Sequence, residues 1–132
     1  MATDRRASWL KGVLDLLVLA CLRGGESYGY EIAGRLDAAG LGRIKGGTLY
    51  PVLNRLEEAG LVKAEFRAAE RGPGRRYYAL TEAGRTGLRE QGEAWLAFHD
   101  AVRRTLVGEE PDEQPGEQGR TPEAAERKGG RL

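Results

Sequence analysis

The side chains best suited to bind an anionic partner lie between positions 43 and 55. Arginine and lysine pair with phosphate oxygens, and threonine, tyrosine and asparagine hydrogen-bond to phosphates or to base edges. The stretch also carries apolar residues three and four apart, which is the spacing of one helix face. The polar residues on or just before this helix are Arg43, Lys45, Thr48, Tyr50, Asn54 and Arg55. Their chemistry predicts a surface that contacts nucleic acid.

The helix that must position these side chains is predicted to begin at Thr48 and to end at Gly60. Thr48 is a good N-cap, so Pro51 falls in the first turn, where a backbone N–H has no intrahelical partner to lose. The apolar face of this helix consists of Leu49, Val52, Leu53 and Leu56. With about 100° per residue, the polar side chains of the stretch then point away from the core.

A second basic group follows at a predicted β-hairpin. Residues 61–67 alternate apolar and polar as a half-buried strand does, and "RYYAL" at 76–80 supplies the partner strand. The expected buried side of the first strand carries Val62, Ala64 and Phe66. The glycine-rich turn and its flanks carry Arg71, Arg75 and Arg76. An isolated basic turn is ordinarily only a solvated tip, but beside such a helix we favour contact with duplex phosphates or the minor groove.

Three further helices complete the layout. They are predicted over residues 10–22, from Ser27 to about residue 39, and over 82–107, with Ser27 and Thr81 as N-caps. The predicted fold class is therefore mainly α with a small β-hairpin. Its order of elements is that of a winged helix-turn-helix domain followed by a long helix.

The charge distribution divides the chain further. Residues 1–107 carry 17 basic and 13 acidic side chains, whereas the last 25 of the 132 residues carry 4 and 7. These last residues are rich in Pro, Gly, Glu and Gln, so burial cannot offset the entropy of ordering them. The predicted parts are an N-terminal extension (1–9), a winged helix-turn-helix domain (10–80), a dimerisation helix (81–107) and a disordered acidic tail (108–132).

Association with a second copy is expected because so small a domain buries a limited core. The first helix is apolar on more than one face, and Leu88, Trp95 and Val102 recur on the last helix at a spacing of seven. The predicted dimer interface contains Leu10, Val13, Leu14, Leu17, Leu88, Trp95, Val102 and Leu106.

Several classes of protein are disfavoured by composition. A single cysteine, Cys21, excludes an intramolecular disulfide, and with a single histidine, His99, the chain offers no metal-ligand cluster. There is no nucleophile elbow and no phosphate loop. The apolar run from Leu14 to Leu22 is too short to span a membrane. We therefore expect no enzyme activity, no metal, no cofactor and no membrane partner, and a cytoplasmic, nucleoid-associated location.

Three stretches carry a resemblance to a known family. "SYGYEIAGRL" (27–36), "GGTLYPVLNRLEEAGLV" (46–62) and "GPGRRYYALTEAGR" (72–85) resemble the PadR-type transcriptional regulators, specifically their smaller subfamily with a single C-terminal helix. The resemblance extends from about Leu10 to Leu106. It implies a homodimeric bacterial DNA-binding regulator, usually a repressor, whose first and last helices form the dimer.

The resemblance also implies roles for particular residues. It places Lys45, Thr48, Tyr50 and Asn54 at DNA through the second helix of the motif, and Arg75 and Arg76 through the hairpin. Tyr50 has an equally supported structural role in bracing the start of its helix. A small-molecule effector is expected near the dimer interface, with Trp95 as the first candidate and Trp9, Phe98 and His99 as its companions; packing between subunits accounts for Trp95 equally well.

One rival interpretation keeps the fold and changes the partner. A winged-helix module can serve only protein–protein contacts, but such a module has no need of basic residues gathered at a helix start and a hairpin. We therefore expect the partner to be double-stranded DNA with a pseudo-palindromic sequence, bound by two copies of the chain.

Overall fold

The computed structural model describes residues 5–110, and the predicted tail lies outside the described residues from position 111 onward. The predicted fold class, mainly α with a small antiparallel sheet, is confirmed. In chain order the elements are α1 (Arg6–Leu10), α2 (Leu14–Cys21), β1 (Ser27–Tyr28), α3 (Gly29–Ala38), α4 (Gly46–Glu58), β2 (Val62–Arg67), β3 (Arg75–Leu80) and α5 (Glu82–Val107).

The single helix predicted over residues 10–22 is in fact two. α1 begins at Arg6, inside the predicted N-terminal extension, and a turn separates it from α2. At this turn the backbone N–H of Val13 donates to the carbonyl of Leu10 at 3.0 Å, and Val13 has a φ of −131°. Gly12, in the middle of the turn, is among the weakest helix formers, which gives the break a local cause.

The sequence predicts that Ser27 caps α3, and this prediction is wrong. This residue lies in β1, which pairs with β3 so that Ser27 faces Tyr78 and Tyr28 faces Tyr77. Its hydroxyl donates to the Glu31 carboxylate at 2.6 Å. The sheet order is therefore β1-β3-β2, and a strand of two residues is too short to show alternation in the sequence.

α4 begins one turn earlier than predicted. Lys45 is its N-cap, and Thr48 is already helical because its N–H donates to the Lys45 carbonyl at 2.9 Å. Pro51 therefore sits in the second turn and leaves the carbonyl of Gly47 without its intrahelical donor. Both Gly47 and Pro51 are exposed, so water can replace the lost bond.

The ends of α3 and α4 follow the predicted glycine signals. Gly40 and Gly60 adopt φ values of +91° and +76°, a region that side chains other than glycine rarely adopt. In each case the following residue donates its N–H to a carbonyl five residues back, Leu41 to Leu36 at 3.0 Å and Leu61 to Leu56 at 2.9 Å. This closure turns the chain sharply after each helix.

The core is formed by α2, α3, α4, the sheet and the start of α5. All four residues of the predicted apolar face of α4 are buried, with at most 4% of their surface exposed. Phe66 departs from prediction, since it is 63% exposed although Val62 on the same strand is buried. It sits at the loop end of the hairpin, one pair before the loop that joins β2 to β3 and close to Gly74.

α5 begins as predicted, because the Thr81 hydroxyl accepts the N–H of Gly84 at 3.0 Å. Gly84 is required here, since a Cβ at this position would collide with the carbonyl of Leu61. The chain forms two compact units, one ending at Leu96 and one beginning at Ala97. In the second, Asp100 pairs with both Arg103 (3.4 Å) and Arg104 (3.2 Å).

Three residues of the predicted dimer interface are buried within the protomer itself. Leu10, Leu14 and Leu88 expose only 9%, 5% and 8% of their surface, so little of each is left for a partner. Val102 and Leu106 are exposed by 39% and 81%. The dimer interface therefore stays a prediction, and it depends on the exposed residues among those predicted to form it.

Candidate nucleic-acid interface

The six candidate residues on α4 and in the segment just before it are all exposed. Arg43 and Lys45 lie in the segment that leads into the helix, and Thr48, Tyr50, Asn54 and Arg55 lie on it. Tyr50 is 46% exposed, although its neighbour Leu49 is buried. The structure thus gathers these side chains on the solvent side of one helix.

Tyr50 is held against two glycines. A Cβ at Gly29 would lie 2.5 Å from the Tyr50 hydroxyl, and one at Gly46 would lie 3.5 Å from its ring. The ring therefore spans from the start of α4 to the start of α3, and it can do so only because Gly29 has no side chain. This geometry gives Tyr50 a bracing role and leaves almost half of its surface open.

Two of the candidate arginines rest closely on tyrosine rings, and a third, Arg76, lies 6.0 Å from the ring centre of Tyr78. The guanidinium of Arg43 lies 4.6 Å from the ring centre of Tyr30, and that of Arg75 lies 4.3 Å from the ring centre of Tyr28. Stacking of this kind attracts the cation to the ring while its N–H edges stay available for other acceptors. Tyr28 is itself fixed by an edge-on contact with Tyr77, with ring centres 5.5 Å apart.

Two other candidates are engaged by carboxylates. Arg55 pairs with Asp15 at 2.9 Å, and Nη2 of Arg76 donates to both carboxylate oxygens of Glu57 at 3.1 Å. Glu57 lies in the last turn of α4, where it meets the hairpin. Part of the positive charge of this surface is therefore already neutralised within the chain.

A third ion pair secures the hairpin. Arg67 donates to the two carboxylate oxygens of Glu26, each at 2.7 Å, and lies 4.4 Å from the ring centre of Tyr77. The hydrogen bonds from Arg67 lower the pKa of the Glu26 carboxyl below its ordinary value. This pair ties β2 to the segment before β1.

Four basic candidates make no ion pair among residues 5–110. They are Arg43, Lys45, Arg71 and Arg75. Arg71 lies in the exposed loop between β2 and β3, and the other three are near the starts of α3 and α4. Among the candidates, three of the four cations without a carboxylate partner therefore lie near the starts of α3 and α4, beside Tyr28, Tyr30 and Tyr50.

Sequence reasoning missed several residues of this surface. Aromatic residues at helical spacing are more often core than ligand-binding, so the sequence predicts Tyr28 and Tyr30 in the core. Tyr30 is in fact 71% exposed, and both tyrosines support arginines. On a helix, Tyr30 lies on a different side from Ile32, which is two positions later and is buried. This spacing is a sequence signal that Tyr30 is exposed. No sequence signal indicates the contacts of Asp15 and Glu57, because their arginine partners lie 40 and 19 positions away along the chain, respectively.

Three of the four candidate effector residues, Trp95, Phe98 and His99, lie in the second half of α5. The fourth, Trp9, lies in α1. Trp9 and Phe98 are 71% and 63% exposed, Trp95 is half-buried and His99 is exposed. An effector site built from them stays a prediction. Among the described residues there is no cluster of three potential metal ligands, and none of the described helices is long and apolar enough to cross a bilayer.

The arrangement of α2, α3 and α4 with a hairpin behind them defines the class of protein. It is a winged helix-turn-helix protein, in which α4 occupies the place of the recognition helix and β2–β3 form the wing. The sequence model of the transcriptional regulator PadR-like family matches residues 18–90, more than half of the chain. The chain belongs to this family of transcriptional regulators.

Solved structures of relatives agree with this assignment. A PadR family transcriptional regulator from Eggerthella lenta is 35% identical, with a TM-score of 0.68 over 76% of this chain and 87% of that one. A PadR-like transcriptional regulator from Bacillus cereus is 33% identical, with a TM-score of 0.67 over 77% and 99%. The transcriptional regulator Rv3488 of Mycobacterium tuberculosis is 42% identical over 67 residues, which are 51% of this chain and 59% of that protein.

Proposed function

We propose that two copies of this chain bind a pseudo-palindromic operator in double-stranded DNA and repress transcription. The observation that carries the proposal is the group of exposed cations without carboxylate partners at the start of α4 and the base of the wing. Cations so placed neutralise phosphates, while Thr48 and Asn54 beside them are exposed to meet base edges. A module used only for protein contacts has no need of such a group.

Pairing of two copies is supported by the exposed apolar surface of α5. Phe98, Val102 and Leu106 lie four residues apart, which puts them on one side of a helix, and they are 63%, 39% and 81% exposed. Burial against a second copy removes this apolar surface from water. Two recognition helices roughly 34 Å apart would then read successive major-groove turns on one side of the duplex.

Release from DNA is proposed to follow binding of a small molecule near this interface. Trp95 and its companions Trp9, Phe98 and His99 are the side chains that such an effector would contact. An effector can bind the dimer more tightly at one spacing of the recognition helices than at another. The difference between these two binding free energies is the most by which the effector can change operator affinity. The regulator would act on nucleoid DNA in the bacterial cytoplasm.

The test combines selection of the operator with a variant that is designed not to dimerise. Fragments of the source genome are selected with the wild-type protein, and affinity for the recovered operator is measured over a range of salt concentrations. The double variant Val102→Asp/Leu106→Asp is expected to be monomeric by sedimentation and to bind the operator about a hundredfold more weakly, because the second half-site is no longer linked to the first. Ala97→Asp is the control for a negative charge on this helix, since it adds a single aspartate on the opposite side of α5.

Two results contradict the proposal. Recovery of no preferred sequence, with binding that does not weaken as salt rises, leaves the protein-contact module as the better account. Full operator affinity in a monomeric double variant excludes the dimer as the DNA-binding species.

A further inference from the structure

A cleft of about 320 Å³ lies where the end of β3 meets the first turns of α5. The residues that line it are Arg23, Leu80, Arg85, Leu88 and Arg89. Leu80 and Leu88 are buried and supply an apolar floor, whereas the three arginines are exposed. The cleft therefore combines three guanidinium groups with an apolar surface, and no carboxylate lines it.

This cleft is separate from the surface proposed to bind DNA. Arg75 and Leu80 are the first and last residues of β3, and Leu80 pairs with Val62 at the end of the hairpin opposite its loop. From Arg75 to Leu80 the strand extends roughly 17 Å, at about 3.3 Å per residue. The arginines of the cleft are therefore not part of the cationic group at the start of α4 and the base of the wing.

No carboxylate matches the charge of the three arginines. Arg23 and Arg89 make no ion pair among residues 5–110, and Nη1 of Arg85 donates only to the Leu80 carbonyl, at 3.4 Å. The acidic residues in the first half of α5 form no ion pair with them either; they are Glu82, Glu90 and Glu93. Arg85 and Arg89 are four positions apart on one helix, so their like charges repel each other. A bound anion would relieve this repulsion.

The chemistry of the cleft selects small polyanions. A guanidinium group only donates hydrogen bonds, and its planar fork fits one carboxylate or one phosphate group. Three such groups match a ligand that carries two or three negative charges. The volume of the cleft is at the lower end of the range for small-molecule sites, and its leucines can contact a short carbon skeleton.

We propose that this cleft binds a small polyanion with at least two carboxylate or phosphate groups. Arg85 is held by the Leu80 carbonyl before the ligand arrives, and Arg23 and Arg89 add their charges from the loop after α2 and the next turn of α5. The inference goes beyond the proposed function, because it requires neither DNA nor a second copy of the chain. It also uses none of the residues predicted to contact an effector.

The first experiment identifies the anion and its place. Citrate and pyrophosphate are titrated separately into the full-length protein at constant ionic strength, with chloride as the balancing anion, and amide resonances are followed by NMR. At least one of them is expected to give saturable shifts at Gly24, Leu88 and Arg89. Citrate represents polycarboxylates and pyrophosphate represents phosphorylated compounds, so the tighter of the two identifies the source of the ligand. Acetate, with one charge, should bind at least about tenfold more weakly.

Variants of the cleft test the role of its arginines. Arg23→Gln and Arg89→Gln should each weaken binding of the better probe about tenfold or more, as expected for the loss of a charge-assisted hydrogen bond. Neither side chain makes a hydrogen bond or an ion pair among the described residues, so both variants should fold. Arg71→Gln is the matched control, because it removes an exposed arginine of the wing loop that does not line the cleft. It should leave the affinity unchanged.

Thermal melting gives a second measurement that a merely structural arginine would not reproduce. Without ligand, Arg89→Gln should melt no lower than wild type, because the substitution removes one of two neighbouring like charges. At a saturating concentration of the better probe, the melting temperature of wild type should rise, since the ligand binds the folded state. That of Arg89→Gln should rise much less.

Three results would overturn the inference. They are shifts that grow without saturation for both probes, equal affinity of wild type and Arg89→Gln, and saturable shifts confined to the start of α4 and the wing. The last result would place the anion on the surface proposed to bind DNA. Because no DNA is present, failure to recover an operator leaves these measurements unaffected.

Discussion

The two ends of α4 carry basic residues that differ in how they are held. Near its start, Arg43 rests on Tyr30, and Lys45 has no carboxylate partner among the described residues. In its later turns, Arg55 pairs with Asp15, and Glu57 holds Arg76 of the wing. Both ends are exposed, so exposure alone does not distinguish them. The difference lies in whether the positive charge is already matched inside the protein.

This difference matters because DNA phosphate must compete with a carboxylate at one end and only with water at the other. An exposed ion pair contributes little to stability, so it can open, but the carboxylate then remains beside the phosphate and repels it. The start of α4 offers its charge without that penalty. A count of basic residues in the sequence therefore overstates the charge available to DNA.

Of the substitutions that test this comparison, the largest effect is expected as a contrast between two arginines of the same surface. Arg43→Gln should weaken operator binding about tenfold and lower the salt slope by about one, because a cation without a carboxylate partner is lost. Arg55→Gln should change affinity by no more than about threefold, since its charge is matched by Asp15. Both are measured by fluorescence anisotropy at several salt concentrations. Equal losses from the two variants would remove the distinction between the ends of α4.

A smaller effect is expected when the carboxylate is removed and the arginine kept. Glu57→Gln should raise DNA affinity about threefold and steepen the salt dependence, because Arg76 no longer has a competing negative charge. Glu58→Gln is the matched control, as the neighbouring carboxylate of α4 makes no ion pair among the described residues. A loss of affinity in Glu57→Gln would mean instead that Glu57 orients Arg76 for DNA.

The sequence predicts the local features of this molecule well. The buried face of α4, the β2–β3 hairpin and the Thr81 cap all follow from spacing or from one residue type, and all are confirmed. These features depend on neighbours within a few positions, which a pattern can reveal. Phe66 is the exception on β2, since the alternation predicts it buried and it is 63% exposed at the loop end of the hairpin.

The features that escaped prediction are contacts between distant segments. β1 exists because Ser27 and Tyr28 meet β3 about fifty positions later, and no pattern of two residues announces it. The pair Arg55–Asp15 spans 40 positions and the pair Arg67–Glu26 spans 41. The sequence identified the basic residues, but which of them hold carboxylates depends on the tertiary fold.

The smallest expected effect concerns stability and comes from the ion pair of the wing. Hydrogen bonds from Arg67 lower the pKa of the Glu26 carboxyl in the folded protein. The pair therefore stabilises the fold fully at a pH above the ordinary glutamate pKa of about 4.3. This contribution is lost as the pH falls through the lowered pKa of the folded protein. Wild type should therefore melt slightly higher than Glu26→Gln at pH 7. The gap should close on acidification and shrink in high salt, since the side chains of Arg67 and Glu26 are 41% and 45% exposed. Glu70→Gln, in the loop beside Arg71, should show no such gap at either pH. A gap that stays constant from pH 7 to pH 3 would show that Glu26 acts through packing and not through its ion pair with Arg67, which also pairs with Glu65 at 3.4 Å.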